Sequence, residues 1–136
     1  MTKNTVLPAD HQRILGVTAR TVEETVNELE ELLQARGIER LTTTVKTTFT
    51  EKRREKLLTS LNALRQANEE MVNKFHLPRS VVTEDQIVSA ALVTLWTILI
   101  DSTAKGSKGY GQLEPGVAAE LDFSVGKLIS IVDELT

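Results

Sequence analysis

Apolar residues recur at helical spacing along most of this chain. Val22, Val26, Leu29 and Leu33 step by four, three and four, which places them on one helical face. Thr21-Val22-Glu23-Glu24 ahead of them has the form of a capping box, with Thr21 as the cap and Glu24 reaching back. Gly37 after Arg36 supplies a stop. Upstream, Pro8 to Leu15 reads as a short first helix that Gly16 interrupts. Downstream, Leu57, Leu61, Leu64, Met71 and Phe75 form a second stripe with one polar gap at Asn68, and Pro78 closes it. Thr83 to Gln86 is another capping box. It opens the most apolar helix, Ile87 to Ile100, where eleven of 14 residues are apolar and surround the axis. A helix of that kind must be covered on most sides, as the centre of a bundle or the seam of an oligomer. A last amphipathic helix begins near Pro115 and carries Val117, Leu121, Val125, Leu128, Val132 and Leu135.

The segment from Thr42 to Thr50 is less decided. Six of its nine residues are threonine, and a basic run follows at once. As a strand it alternates Leu41, Thr43, Val45, Thr47 and Phe49 against Thr42, Thr44, Lys46, Thr48 and Thr50. As a helix, Ile38, Leu41, Val45 and Phe49 also share a face. Threonine's preference for extended backbone favours the strand, and Thr50 is a good N-cap for a helix after it. The strand would need a partner for its backbone groups. The extended candidates are Asn4 to Leu7, Ser80 to Val82, or the same strand of a second copy.

These elements predict a mostly all-α chain in one domain, residues 1–136. Its expected form is an antiparallel helical bundle of three long helices plus short N-terminal helical pieces, with one short strand at 42–49 as the open element.

Composition narrows the class. Hydrophobic residues make up 40% and charged residues 26%, a globular balance. The absence of cysteine removes disulfides, thiolate metal sites and a cysteine nucleophile, and it agrees with a cytoplasmic location. The first ten residues lack a signal-peptide layout. The longest apolar run, about 14 residues, falls short of the roughly 20 a membrane span needs, so no membrane partner is expected.

The net charge of −3 is unevenly spread. Five glutamates crowd Glu23 to Glu31, whereas Arg36 to Lys56 holds seven basic residues against three acids. A basic centre between acidic flanks offers itself to a polyanion, or to the acids of this chain or a second copy. If a helix starts at Thr50, then Lys52, Arg53 and Arg54 stand at its positive end, at a cost of about 0.3–1 kcal/mol each, partly offset by Glu51 and Glu55. An anionic partner would explain them.

A strand followed by two helices, paired through strands across a dimer, resembles the ribbon–helix–helix class of DNA-binding proteins. The resemblance covers about residues 41 to 100. It implies base contacts from Thr44, Lys46 and Thr48 and phosphate contacts from Lys52 and Arg53, with Arg54 and Lys56 completing the basic cluster. A helix-turn-helix echo lies in Ile14 to Val26, with Thr18, Arg20 and Thr21 toward the groove, but the glutamates there would repel phosphate.

Other chemistry is thin. The loop Lys105 to Gly111 has glycines and lysines without the spacing of a P-loop, and Lys105, Lys108 and Tyr110 make it a candidate partner-contact loop. Ser102 to Lys105 matches a Ser-x-x-Lys pattern without companion motifs. His11 and His76 are far apart and outside any Glu-x-x-His arrangement. His76 fits a helix-end role better than metal binding. No cofactor is implied, and magnesium held by carboxylates stays open. The leading expectation is a non-enzymatic helical interaction or assembly protein, self-associating as a homodimer. It would present the basic centre (36–56) and the Gly-rich loop (105–111) to a protein partner. The alternative is a dimeric DNA-binding regulator.

Overall fold

The structure is a computed structural model, and it describes residues 6–136. Four long helices dominate, in agreement with the all-α expectation: α1 (Ala9–Ala35), α2 (Glu51–Lys74), α3 (Glu84–Asp101) and α4 (Pro115–Leu135). Two short strands, β1 (Ile38–Glu39) and β2 (Thr44–Val45), lie between α1 and α2. Contacts gather into two compact units, Met1–Ser80 and Val81–Thr136.

In the first unit α1 and α2 form an antiparallel helical hairpin. Gly16 does not interrupt α1, and Thr21 does not cap a helix. The Thr21 hydroxyl donates back to the Val17 carbonyl at 2.9 Å, one turn earlier in the same helix. The reason lies in the packing stripe. Gln12, Leu15, Ala19, Val22, Val26, Glu30 and Leu33 step by three or four residues through Gly16, and all are buried or half-buried. Burial of a continuous stripe outweighs the roughly 1 kcal/mol that a helical glycine costs. No turn exists for a helix-turn-helix.

The facing stripe of α2 is Arg54, Leu58, Leu61, Arg65, Asn68 and Val72, spaced four and three in alternation. Half of these are polar, and each polar one is paired across the hairpin. Arg54 Nη1 donates to the Leu33 carbonyl at 2.7 Å. Arg65 Nη2 meets Glu30 at 2.8 Å. Asn68 Nδ2 donates to the Ala19 carbonyl at 3.0 Å. Such pairs fix the register of two helices, because a slip would strand every one of them.

The termini follow local chemistry. Thr50 caps α2, its hydroxyl accepting from the Arg53 amide at 3.1 Å. At the other end, the Leu77 amide donates to the Val72 carbonyl and the His76 amide to that of Asn73, with His76 at φ 50. This is a Schellman stop, completed by the buried Leu77. It ends the helix ahead of Pro78.

In the second unit α3 packs against α4. Leu99, Val125 and Val132 are its buried residues, with Leu92, Leu121 and Ile129 packed around them. The capping box at Thr83 is formed, since Gln86 N donates to Thr83 Oγ1 at 3.2 Å and Thr83 N to Gln86 Oε1 at 3.1 Å. Pro115 occupies the first turn of α4. Among the described residues, no helix is long and apolar enough to cross a membrane.

Candidate interaction surfaces

The basic centre is built around the exit from α1. Arg36 (φ 52) and Gly37 (φ 100) both take left-handed backbone, which turns the chain out of the helix and into β1. A Cβ at Gly37 would lie 3.0 Å from Thr47 Oγ1, so glycine serves both the angle and the space. Ile38 then pairs with Val45 and Glu39 with Thr44, antiparallel. The Arg40 amide bonds the Thr43 carbonyl at 2.9 Å to close the turn.

The threonine segment therefore contributes a strand only at Thr44–Val45. Within the chain its partner is not Ser80 to Val82 but the residues just before it, Ile38–Glu39. For the other expected partner, Asn4 to Leu7, Asn4 and Thr5 lie outside the described residues, and the described end, Val6 and Leu7, forms no strand. A short turn closes at less entropic cost than a long-range pairing in the same chain, which favours this local partner.

The residues expected to touch a polyanion divide into two sets. Thr44, Lys46, Thr48, Lys52, Arg53 and Lys56 are exposed. Arg54 is 4% exposed and points inward, so it belongs to the hairpin seam and not to the surface. Its placement answers the charge puzzle for that residue. Its guanidinium sits beside the last turn of α1, where unpaired carbonyls favour a cation. Glu51 lies 3.7 Å from Arg54 Nε and 3.0 Å from Arg36 Nη2, tying the end of α1 to the start of α2. Lys52 and Arg53 receive no such explanation. Neither forms an ion pair among the described residues, and neither do Arg40, Lys46 and Lys56.

No family model, curated protein or solved structure matches the chain.

The Gly-rich loop is ordered by its own side chains. The Thr103 hydroxyl donates to Ile100 O at 2.8 Å and accepts from Gly106 N at 3.0 Å, and Ser107 Oγ donates to Thr103 O at 2.7 Å. Asp122 of α4 accepts from the Ala104 amide at 2.8 Å, which anchors the loop to its unit. Gly106 is wedged so closely that a Cβ would stand 2.3 Å from the Ile100 carbonyl. Lys105, Lys108 and Tyr110 are all exposed, Tyr110 at 96%. Ser102 donates its hydroxyl to the Ile98 carbonyl at 2.8 Å. Among the described residues, no three His, Asp or Glu side chains gather to hold a metal ion.

A third surface was legible only as a surplus of apolar residues. On α3, Ile87 (60%), Val93 (63%) and Ile98 (56%) are open, as are Val88 and Trp96, and Leu99 alone is buried. On α4, Phe123, Leu128 and Ile131 are equally open.

Proposed function

We propose that this chain is a non-enzymatic assembly protein that self-associates through the open faces of α3 and α4 and meets a macromolecular partner with its basic hairpin end and Gly-rich loop. One observation carries the reading: α3 is apolar around its axis yet buries a single residue against α4. Each half-exposed Val, Ile or Leu left in water forgoes roughly 1 kcal/mol of burial.

The test is light scattering on the intact chain across about 1–100 µM, with Val93→Glu/Ile98→Glu beside it. The wild type should be an oligomer. The double variant should be a monomer with unchanged helical content, because neither side chain is in the α3–α4 core. A monomeric wild type across the whole range would end this reading.

A second reading is favoured by Lys52 and Arg53, which stand without an ion pair at the positive end of α2, with Glu51 beside them in the first turn. An anion such as duplex DNA would offset them, with Lys46, Arg40 and Lys56 alongside. Binding of that kind weakens steeply between about 50 and 200 mM salt through counterion release. A DNA titration at those two salt levels separates the readings.

A further inference from the structure

The β1–β2 hairpin ends in a tip that the fold does not use. Glu39 pairs with Thr44 and the Arg40 amide bonds the Thr43 carbonyl, which leaves Leu41 and Thr42 as a two-residue turn. Turns of that length are usually built from Asn, Asp or Gly, which accept left-handed backbone. Here neither residue is of that kind, and neither takes a positive φ. Leu41 is fully exposed, so no core accounts for it. A lone exposed leucine is ordinary on the face of a helix or sheet. This one stands on a turn, at the head of an uncharged run from Leu41 to Val45.

A collar of bases stands behind the tip. Arg40 and Lys46 bracket the uncharged run, and Lys52, Arg53 and Lys56 follow in the first turns of α2. All five are exposed, and none is ion-paired among the described residues. The segment is held at one end of the helical hairpin. A Cβ at Gly37 would lie 3.0 Å from Thr47 Oγ1, and Arg36 meets Glu51 at 3.0 Å. Leu41 is four residues beyond Gly37, at most about 13 Å of extended chain.

Charge gives this end a direction. Residues 36–56 hold seven bases and three acids, a balance of +4, in a chain whose total is −3, so the remaining residues carry −7. A negatively charged surface attracts this end and, on balance, repels the rest.

We infer that the hairpin tip docks on an anionic lipid surface. Leu41 enters the boundary between headgroups and acyl chains, and the bases behind it rest on headgroup anions. Duplex DNA would use the same bases but offers no apolar layer to Leu41. A fluid headgroup layer uses both, and it needs no fixed distance between the bases. The expectation of no membrane partner rested on span length, which a surface contact does not require. The inference names the partner of the basic hairpin end and rests on the reading above only in taking that end as a contact surface. Self-association through α3 and α4 does not enter it.

The experiment is flotation of the full chain with two vesicle types at about 50 mM salt, pure phosphatidylcholine and phosphatidylcholine with roughly 30% phosphatidylserine. The chain should float with the anionic vesicles alone. Leu41→Ser changes a side chain without packing partners, so circular dichroism should be unchanged while binding weakens about tenfold. Lys52→Gln/Arg53→Gln should weaken it roughly twentyfold. Binding through the open faces of α3 and α4 would instead survive Leu41→Ser and appear with both vesicle types. The inference is overturned by that pattern, by unchanged binding of Leu41→Ser, or by no binding to anionic vesicles. Duplex DNA titrated into the same samples tells two failures apart. Binding to DNA alone would end the lipid inference and leave the basic end a contact surface, whereas binding to neither would end both.

Discussion

The Nη1 of Arg54 lies 2.7 Å from the carbonyl oxygen of Leu33, a bond between a buried guanidinium at the start of α2 and the last turn of α1. Its neighbour Arg53 is exposed and pairs with nothing by its side chain among the described residues. Two adjacent arginines thus have opposite roles. Arg54→Met should destabilise the chain by about 2 kcal/mol, because the Leu33 carbonyl loses its partner in a dry setting. Arg53→Gln should stay within about 0.5 kcal/mol, as surface changes do. Urea unfolding followed by circular dichroism distinguishes them. Equal costs would show that the Leu33 contact does not hold the hairpin.

The same pair sharpens the polyanion test. Arg53→Gln with Lys52→Gln should flatten the salt dependence of any DNA binding by about two units of logarithmic slope. An Arg54 variant is unsuitable there, since lost binding would report a damaged hairpin.

Gly106 and Gly109 sit three residues apart in one loop and should respond differently to alanine. A Cβ at Gly106 would meet the Ile100 carbonyl at 2.3 Å, and backbone cannot easily give way. Overpacking of this kind costs about 1–3 kcal/mol. At Gly109 nothing lies within 4 Å. Differential scanning calorimetry of Gly106→Ala and Gly109→Ala checks the contrast, with only the first expected to melt earlier.

Gly16→Ala should stabilise the chain by about 0.5–1 kcal/mol, since the helix gains propensity and the new methyl meets nothing. A loss of stability would mean that the glycine serves a backbone need that its helical geometry does not show.

Local signals were the legible ones. Thr50, Thr83 with Gln86, Gly37 and Pro115 each mark a boundary through a bond or an angle spanning a few residues, and the sequence shows all of that chemistry. Gly16 misled for the opposite reason. Its local signal says stop, while the stripe from Gln12 to Leu33 runs through it, and packing outweighs propensity. Arg54 and Arg65 were hidden because charged residues in a helix read as a solvated face. Their four-and-three spacing with Leu58, Leu61, Asn68 and Val72 was there to find. The basic end was foreseen as a patch, but not which arginine turns inward. Asn68 was visible only as a gap in an apolar stripe.

Self-association should also appear in thermal stability. A protein whose folded state is held by a second copy melts higher as its concentration rises. The melting temperature should climb between about 1 and 100 µM for the wild type and stay flat for Val93→Glu/Ile98→Glu. A flat wild-type profile would contradict the seam.

The near-bare α3 also sets an order of events in time. Its one partner within the unit, α4, follows it directly in the chain, so the hairpin closes by local contacts, in about a millisecond or less. Under the proposed assembly, the covering of Trp96 and Ile98 waits for an encounter between chains. At about 1 µM and ordinary association rates that takes on the order of a second. For that interval the newly closed hairpin carries its stickiest surface uncovered, and pairing races against clumping. Yield on refolding should therefore depend on how fast like meets like, and a slow, dilute synthesis would lengthen the exposed interval.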